Sequence, residues 1–164
     1  MLVIICIWYN YKRKWGDIMN NGYGQQIVST KANTLYALSK VIKKSKIEKM
    51  YILPVAEFEN NRENVLRDIT ETYGGEQIIV RSSSSKEDSF KTSNAGHYES
   101  ILGIDSGDSE QVNSAIEKVI ASYQKDIEIL DHEQILVQRQ AQNVKFSGVI
   151  FTRDIQGNRP YYLI

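Results

Sequence analysis

A cation and a run of hydroxyl side chains adjoin at the end of an apolar segment, and together they offer the chemistry of a phosphate-binding site. Arg81 follows Ile78–Val80, and four serines, Ser82 to Ser85, come directly after it. Arginine is permanently charged and can bind a phosphate through two donors, while closely spaced loop amides point further donors at anionic oxygens. These residues predict a loop that cradles phosphate. A solvated serine-rich loop is the alternative that they leave open on their own.

A second cation, Lys31, falls in the first turn of a predicted helix. Apolar residues recur at helical spacing between residues 31 and 44, and Ser29 or Thr30 is available as the N-cap. The charge of a lysine is more favourable near a helix C-terminus, where the helix dipole is negative. Taken alone, Lys31 is therefore equally well interpreted as a solvated lysine on an amphipathic helix.

The segments around these cations alternate between strand and helix. A short strand over Met50–Val55 precedes a helix over Asn61–Tyr73, which is closed by Gly74 and Gly75. The β-branched residues that follow the glycines predict a short strand covered on both faces, which stops at Arg81.

Another strand and another helix are predicted beyond the serines. Tyr98–Ile104 has the composition of a strand, and Asp108 with Gln111 makes a capping pair for the helix that follows. The apolar stripe of that helix needs no role beyond the core, and it consists of Val112, Ala115, Ile116, Val119, Ile120 and Tyr123.

The last part of the chain is rich in strand segments. Ile135–Val137 and Phe146–Thr152 flank a polar turn around Gln142, and Tyr161–Ile164 starts a further strand. Antiparallel hairpins after a half that carries the helices predict an α+β architecture of two lobes.

Composition limits the partners. The 20 Lys and Arg residues balance 20 Asp and Glu residues, so no basic field exists to attract nucleic acid or an anionic membrane. Cys6 is the only cysteine, and His97 and His132 lie far apart, so neither an internal disulfide nor a metal cluster is predicted and a cytoplasmic setting is expected. The apolar run Leu2–Tyr9 is much shorter than the roughly 20 residues that span a bilayer, and it predicts a buried or edge strand.

Four blocks of the sequence carry a resemblance to a known family: Ser29–Leu35, Val80–Ser100, Val137–Ala141 and Ser147–Asp154. They resemble, in the same order, the GGKGANL, VRSSA…ED…SFAG…ET, VQRMV and SGVAFTRDP segments of the phosphoenolpyruvate synthase and pyruvate phosphate dikinase family, in its ATP-grasp nucleotide-binding domain. Four blocks in the family's order are far more specific than any one of them.

The resemblance implies that the chain is an ATP-binding domain, or a fragment of one, that holds ATP and Mg²⁺ between two lobes. A phosphoryl group would pass to a histidine on a separate swivelling domain and from there to pyruvate. Phosphohistidine and pyruvate-binding domains, in cis or in trans, are therefore implied as partners. Residues 27–164 would be a partial ATP-grasp domain, and residues 1–26 an N-terminal extension without interpretation.

The same resemblance assigns roles to single residues. Lys31 and Arg81 are implied in catalysis, and the end of the strand at Gln138–Ala141 is implied as the hinge whose backbone pairs with adenine. An amphipathic edge strand with its glutamines facing water remains the alternative for that hinge. The implied nucleotide-binding residues are Lys31, Arg81, Ser82, Ser83, Ser93, Gly96, Gln138 and Gln140.

The sequence also departs from the family pattern. Ser29 and Thr30 replace two glycines, His97 stands where the family has glutamine, and Ile155 replaces a proline. The strands that carry the family's magnesium carboxylates would follow Ile164, so no metal ligand is assigned, and Glu87 or Asp88 is only a weak candidate.

Three hypotheses follow. The chain is the ATP-binding part of a dikinase that is inactive when isolated, a catalytically incomplete binding or regulatory module, or a domain that kept only the fold. An unfinished sheet edge near Ile164 would also allow a homodimer.

Overall fold

The structure is a computed structural model that describes residues 2–5, 30–84, 99–123, 133–149 and 159, with the backbone alone for residues 2–5 and 149. The described helices and antiparallel strands confirm the α+β class. The helices are α1 (Lys31–Val41), α2 (Val55–Tyr73) and α3 (Ser109–Tyr123), and the strands are β1 (Leu2–Ile5), β2 (Met50–Pro54), β3 (Gln77–Ser83), β4 (Ser100–Asp105), β5 (Gln134–Arg139) and β6 (Phe146–Val149).

Local sequence explains where the helices begin and end. The Thr30 hydroxyl accepts a hydrogen bond from the backbone N–H of Asn33 at 3.2 Å and so caps α1. Asp108 accepts from the backbone N–H of Gln111 at 3.1 Å and caps α3, as predicted. α2 ends at Gly74, whose φ of 60° lies in the left-handed region that glycine tolerates.

α2 is longer than its predicted extent. It begins at Val55, immediately after Pro54, rather than at Asn61. Asn61 has φ −135° and ψ 37°, so α2 consists of two helical segments joined at this residue. Val55 and Phe58 are buried, and the first segment is too short for its periodicity to be separated from the strand before it.

Four strands form one antiparallel sheet in the order β2-β5-β3-β4. β2 and β3 both run antiparallel to β5 between them, so β2, α2 and β3 make a split βαβ unit. β4, α3 and β5 make a second such unit around β3. The two units interlock, because the last strand of each lies between the two strands of the other.

One face of this sheet carries the core. The apolar faces of α2 and α3 pack against the sheet and against each other, and the stripe predicted for α3 is buried throughout. The largest fully buried apolar side chains of this cluster are Phe58, Leu53, Ile69, Ile78, Ile116 and Ile135.

Two predictions about strands are wrong. β3 does not stop at Arg81 but continues through Ser83, with β5 on one side and β4 on the other. β5 and β6 do not form a hairpin either, because β5 is a central strand of the four-stranded sheet whereas β6 pairs in parallel with β1. The strand predicted at the N-terminus is confirmed over Leu2–Ile5.

The chain divides into two compact units. Residues 26–140 form the unit that contains the four-stranded sheet and the three described helices. The other unit joins residues 1–25 to residues 141–164, and in it β1 pairs with β6 so that Leu2 lies opposite Phe146. None of the described helices is long and apolar enough to cross a membrane.

Candidate functional site

The second face of the four-stranded sheet, opposite the core of α2 and α3, carries Arg81, Ser83 and Gln138, three of the residues predicted to bind nucleotide. Successive side chains of a strand point to opposite faces. Because Ile78 and Val80 belong to the core, Ile79, Arg81 and Ser83 lie on the second face. Their partners across the β3–β5 register share that face, and these are Gln138, Leu136 and Gln134.

The N-terminus of α1 is attached to one end of this face. The backbone N–H of Ala32 donates to the Ser83 hydroxyl at 2.8 Å, and the Thr30 hydroxyl donates to the side-chain oxygen of Gln134 at 2.7 Å. Ser83 and Gln134 are register partners, so both strands contribute to the attachment. Ala32 is fully buried as a result.

This attachment brings the helix turn that contains Lys31 to the end of the face that carries Arg81. Lys31 lies between Thr30 and Ala32, the two residues that are bonded to the sheet. Arg81 precedes Ser83 by two positions on the same face, which is about 7 Å along a strand. Both cations are half-buried. Lys31 is therefore not fully exposed, and its role as a phosphate ligand stays a prediction.

Ser82 and Ser83 do not lie in the phosphate-cradling loop that was predicted. Ser82 and Ser83 lie within β3 and are fully buried, and Ser84 is 3% exposed. The Ser83 hydroxyl is engaged by the N–H of Ala32, and Ser84 donates to Glu133 at 2.9 Å. Residue type alone indicated polarity, whereas the flanking strands β4 and β5 decide the burial.

A tyrosine hydroxyl joins the ends of β3 and β5. The backbone N–H of Ser83 donates to the Tyr123 hydroxyl at 2.7 Å, and that hydroxyl donates to the backbone carbonyl of Gln134 at 2.6 Å. Tyr123 is the last residue of α3 and is 4% exposed. The sequence predicts that Tyr123 belongs to the core stripe of α3. Helical spacing predicts that the residue is buried, but it gives no information about the hydrogen-bond partners of its hydroxyl.

The glutamines at the other end of the face have different surroundings. Gln138 is half-buried and its amide donates to the carbonyl of Glu48 at a long 3.5 Å. Gln140 makes two hydrogen bonds. Its backbone N–H donates to the carbonyl of Gln77, and its side-chain oxygen accepts from the N–H of Gly103 at 2.6 Å. The edge-strand alternative is wrong because β5 is central.

The arginine between these glutamines is held by an ion pair. Arg139 donates through two nitrogens to the carboxylate of Glu76, one of these bonds measuring 2.6 Å. The hydrogen bond from Arg139 to Glu76 raises the pKa of the guanidinium further. Arg139 is therefore engaged within the sheet, at the start of β3.

Some predicted residues lie outside the part of the chain that the structure describes. These are Ser93, Gly96, Glu87, Asp88, His97 and the Arg153–Asp154 pair. Among the described residues, no group of three His, Cys, Asp or Glu side chains could hold a metal ion.

The face thus combines Arg81 and an attached helix N-terminus, whose first turn contains Lys31, with apolar and amide side chains further along the same strands. This arrangement suits a ligand that has an anionic end. The chain matches the family model of the pyruvate phosphate dikinase AMP/ATP-binding domain over residues 18–164. The chain belongs to this family. It is the N-terminal nucleotide-binding domain of the phosphoenolpyruvate synthase and pyruvate phosphate dikinase family, and the family is one of kinase-type enzymes.

Neither the search of curated proteins nor the search of solved structures found a significant match. The pyruvate phosphate dikinase assignment therefore stands on the family model, which extends over the four-stranded sheet, its three helices and β6.

Proposed function

We propose that this domain binds ATP along the second face of its four-stranded sheet, with the phosphates between Lys31 and Arg81. One observation carries the proposal: hydrogen bonds from Ala32 and Thr30 fix the first turn of α1 on the face that holds Arg81. A helix N-terminus and two cations at one place are the groups that stabilise a polyphosphate.

The direction of the nucleotide along the face follows from charge. The cations lie at the Ser83 end of β3, whereas Ile79 and Gln138 face each other at the other end. The exposed side chain of Leu102 lies on the neighbouring strand β4. We place the adenine at this apolar end, beside the strand end Gln138–Ala141 that the family resemblance implies as the hinge. Gln140 would contribute backbone rather than side chain, because Gly103 already engages its side-chain oxygen.

The proposed chemistry is phosphoryl transfer from ATP to a histidine on a separate domain of a cytoplasmic dikinase of the two-lobed ATP-grasp type. Such a reaction asks the protein mainly to position the phosphates and to neutralise their charge. Lys31 and Arg81 have that role in the proposal. Family membership supports the transfer, and the common face of the two cations supports the assignment of these residues.

The test is thermal unfolding of the chain with and without Mg-ATP, in the wild type and in a Lys31→Ala, Arg81→Ala double variant. Ligand at about 100 times its Kd stabilises the folded state by about 2.7 kcal/mol if it binds only that state. We expect this shift in the wild type and its loss in the double variant. In this proposal both cations bind phosphate, so their removal should lower the affinity for ATP.

A matched control removes the same charge elsewhere. Lys43 and Lys44 are exposed and follow the C-terminal end of α1. The Lys43→Ala, Lys44→Ala variant should keep the full ATP shift. An equal loss in both double variants would mean that net charge alone attracts the nucleotide, and absence of a shift in the wild type would overturn the proposal.

A further inference from the structure

We infer that Tyr123 and Ser83 are positioning residues that set the place of Lys31 without touching the nucleotide. The inference rests on the proposed ATP site and extends it to α3, on the opposite side of the sheet. It gives Ser83 a different role from that of a phosphate ligand.

The first link is the hydroxyl of Tyr123. It accepts from the N–H of Ser83 at 2.7 Å and donates to the carbonyl of Gln134 at 2.6 Å. Because Ser83 and Gln134 oppose each other in the register, the hydroxyl bridges β3 and β5 at their last pair. The ring of Tyr123 is anchored in the core cluster, so the bridge is held from the core side.

The second link runs from this pair of residues to α1. The side chains of Ser83 and Gln134 accept hydrogen bonds from Ala32 and Thr30, one residue on either side of Lys31. A shift of either strand end would therefore move the first turn of α1. The Ser83 hydroxyl is fully buried and engaged by the Ala32 amide, which is a geometry for holding the helix rather than for meeting a solvent-borne phosphate.

Three single variants separate this role from general stability. Tyr123→Phe removes the bridging hydroxyl and keeps the ring, and Ser83→Ala removes the acceptor for the Ala32 amide. Tyr73→Phe is the matched control. Tyr73 is also a buried tyrosine at the end of a helix, and its hydroxyl also donates to a β5 carbonyl, that of Val137 at 2.9 Å. It has no bond to Ser83 or α1 among the described contacts.

The first measurement is hydrogen exchange of the Ala32 amide by NMR, relative to amides in the middle of α1. It needs no ligand. We expect the exchange rate of the Ala32 amide to rise by about tenfold in Ser83→Ala, because that variant loses a single hydrogen bond. The rate should also rise in Tyr123→Phe. It should stay unchanged in Tyr73→Phe. Unchanged exchange in Tyr123→Phe would overturn the coupling between α3 and α1.

The second measurement is ATP affinity in a cycle of Ser83→Ala and Lys31→Ala. If Ser83 acts through Lys31, Ser83→Ala weakens ATP binding in the wild type and has little further effect once Lys31 is alanine. An equal loss in both backgrounds would make Ser83 a direct ligand and overturn the inference. Failure of the wild type to bind ATP would instead remove the proposed function, while the exchange experiment would still decide how α1 is held.

Discussion

The carboxylate of Asp108 accepts three hydrogen bonds at the start of α3. One of its oxygens accepts from the backbone N–H groups of Glu110 and Gln111, and the other accepts from the Gln111 side-chain amide at 2.7 Å. These hydrogen bonds, those from Gln111 first, lower the pKa of Asp108 below its usual value. The charged form is therefore favoured by folding.

This pKa shift predicts the sign of a pH effect. Since the folded pKa lies below the unfolded one, Asp108 contributes stability above the unfolded value, near pH 4, and the contribution disappears as the pH falls through the folded pKa. Urea unfolding of the wild type and of Asp108→Asn between pH 2 and pH 7 should show a wild-type advantage at pH 7 that shrinks below about pH 4.

The matched control is Glu59→Gln, which removes an exposed carboxylate from α2. An advantage that shrinks equally over both variants would mean that the loss of one negative charge, and not the cap, is responsible. If the difference between the wild type and Asp108→Asn were constant from pH 2 to pH 7, the carboxylate charge would have no part in the cap.

Among the elements, α2 depends on the glycine that ends it. The N–H of Gly74 donates to the carbonyl of Thr70 at 2.7 Å while its φ is 60°. A Cβ added at Gly74 would meet no other atom within 4 Å. A larger residue at this position would therefore destabilise the protein only through its unfavourable left-handed backbone conformation, and not through a steric clash.

Gly74→Ala should lower the free energy of unfolding by about 1 kcal/mol, the cost of placing an L-residue in the left-handed region. Gly74→Asn should cost less, because asparagine enters that region more readily. Chemical denaturation of the three proteins measures the order. Equal stability of the alanine variant and the wild type would show that α2 ends differently in solution.

At the scale of the whole molecule, the main apolar core belongs to one unit. Every residue of the buried cluster lies between Leu53 and Val137, within residues 26–140. The four-stranded sheet and the three described helices lie in the same range. β1 and β6 pair with each other in the other unit, not with this sheet.

A fragment of residues 26–140 should therefore fold by itself and unfold in one cooperative thermal transition. Its core variant Ile116→Ala, at a fully buried position, should lose about 2–5 kcal/mol, the usual cost of such a cavity. Circular dichroism of both fragments measures this. A fragment without a cooperative transition would show that the unit needs the rest of the chain.

The sequence by itself determined the features that depend on near neighbours. The Asp108 cap, the apolar stripe of α3 and the glycine end of α2 were predicted, and the α1 cap was predicted to be Ser29 or Thr30. Caps and helical periodicity act within a few residues, so the local sequence suffices. Arg81 and the serines after it indicated a phosphate site, and the family resemblance implied Lys31 in it; both stay predictions. The four sequence blocks indicated the family that the family model confirmed.

Only the tertiary structure decided what Ser83 does and where the first turn of α1 is attached. Ser83 pairs with Gln134 of β5 and accepts from the N–H of Ala32, and Tyr123, 40 positions along the chain, supplies the bridging hydroxyl. Strand pairing depends on contacts between distant segments, and a serine has the same local pattern in a loop and at the end of a buried strand. Long-range contacts also attach the first turn of α1, which contains Lys31, to the face of Arg81, and no spacing along the chain encodes that attachment.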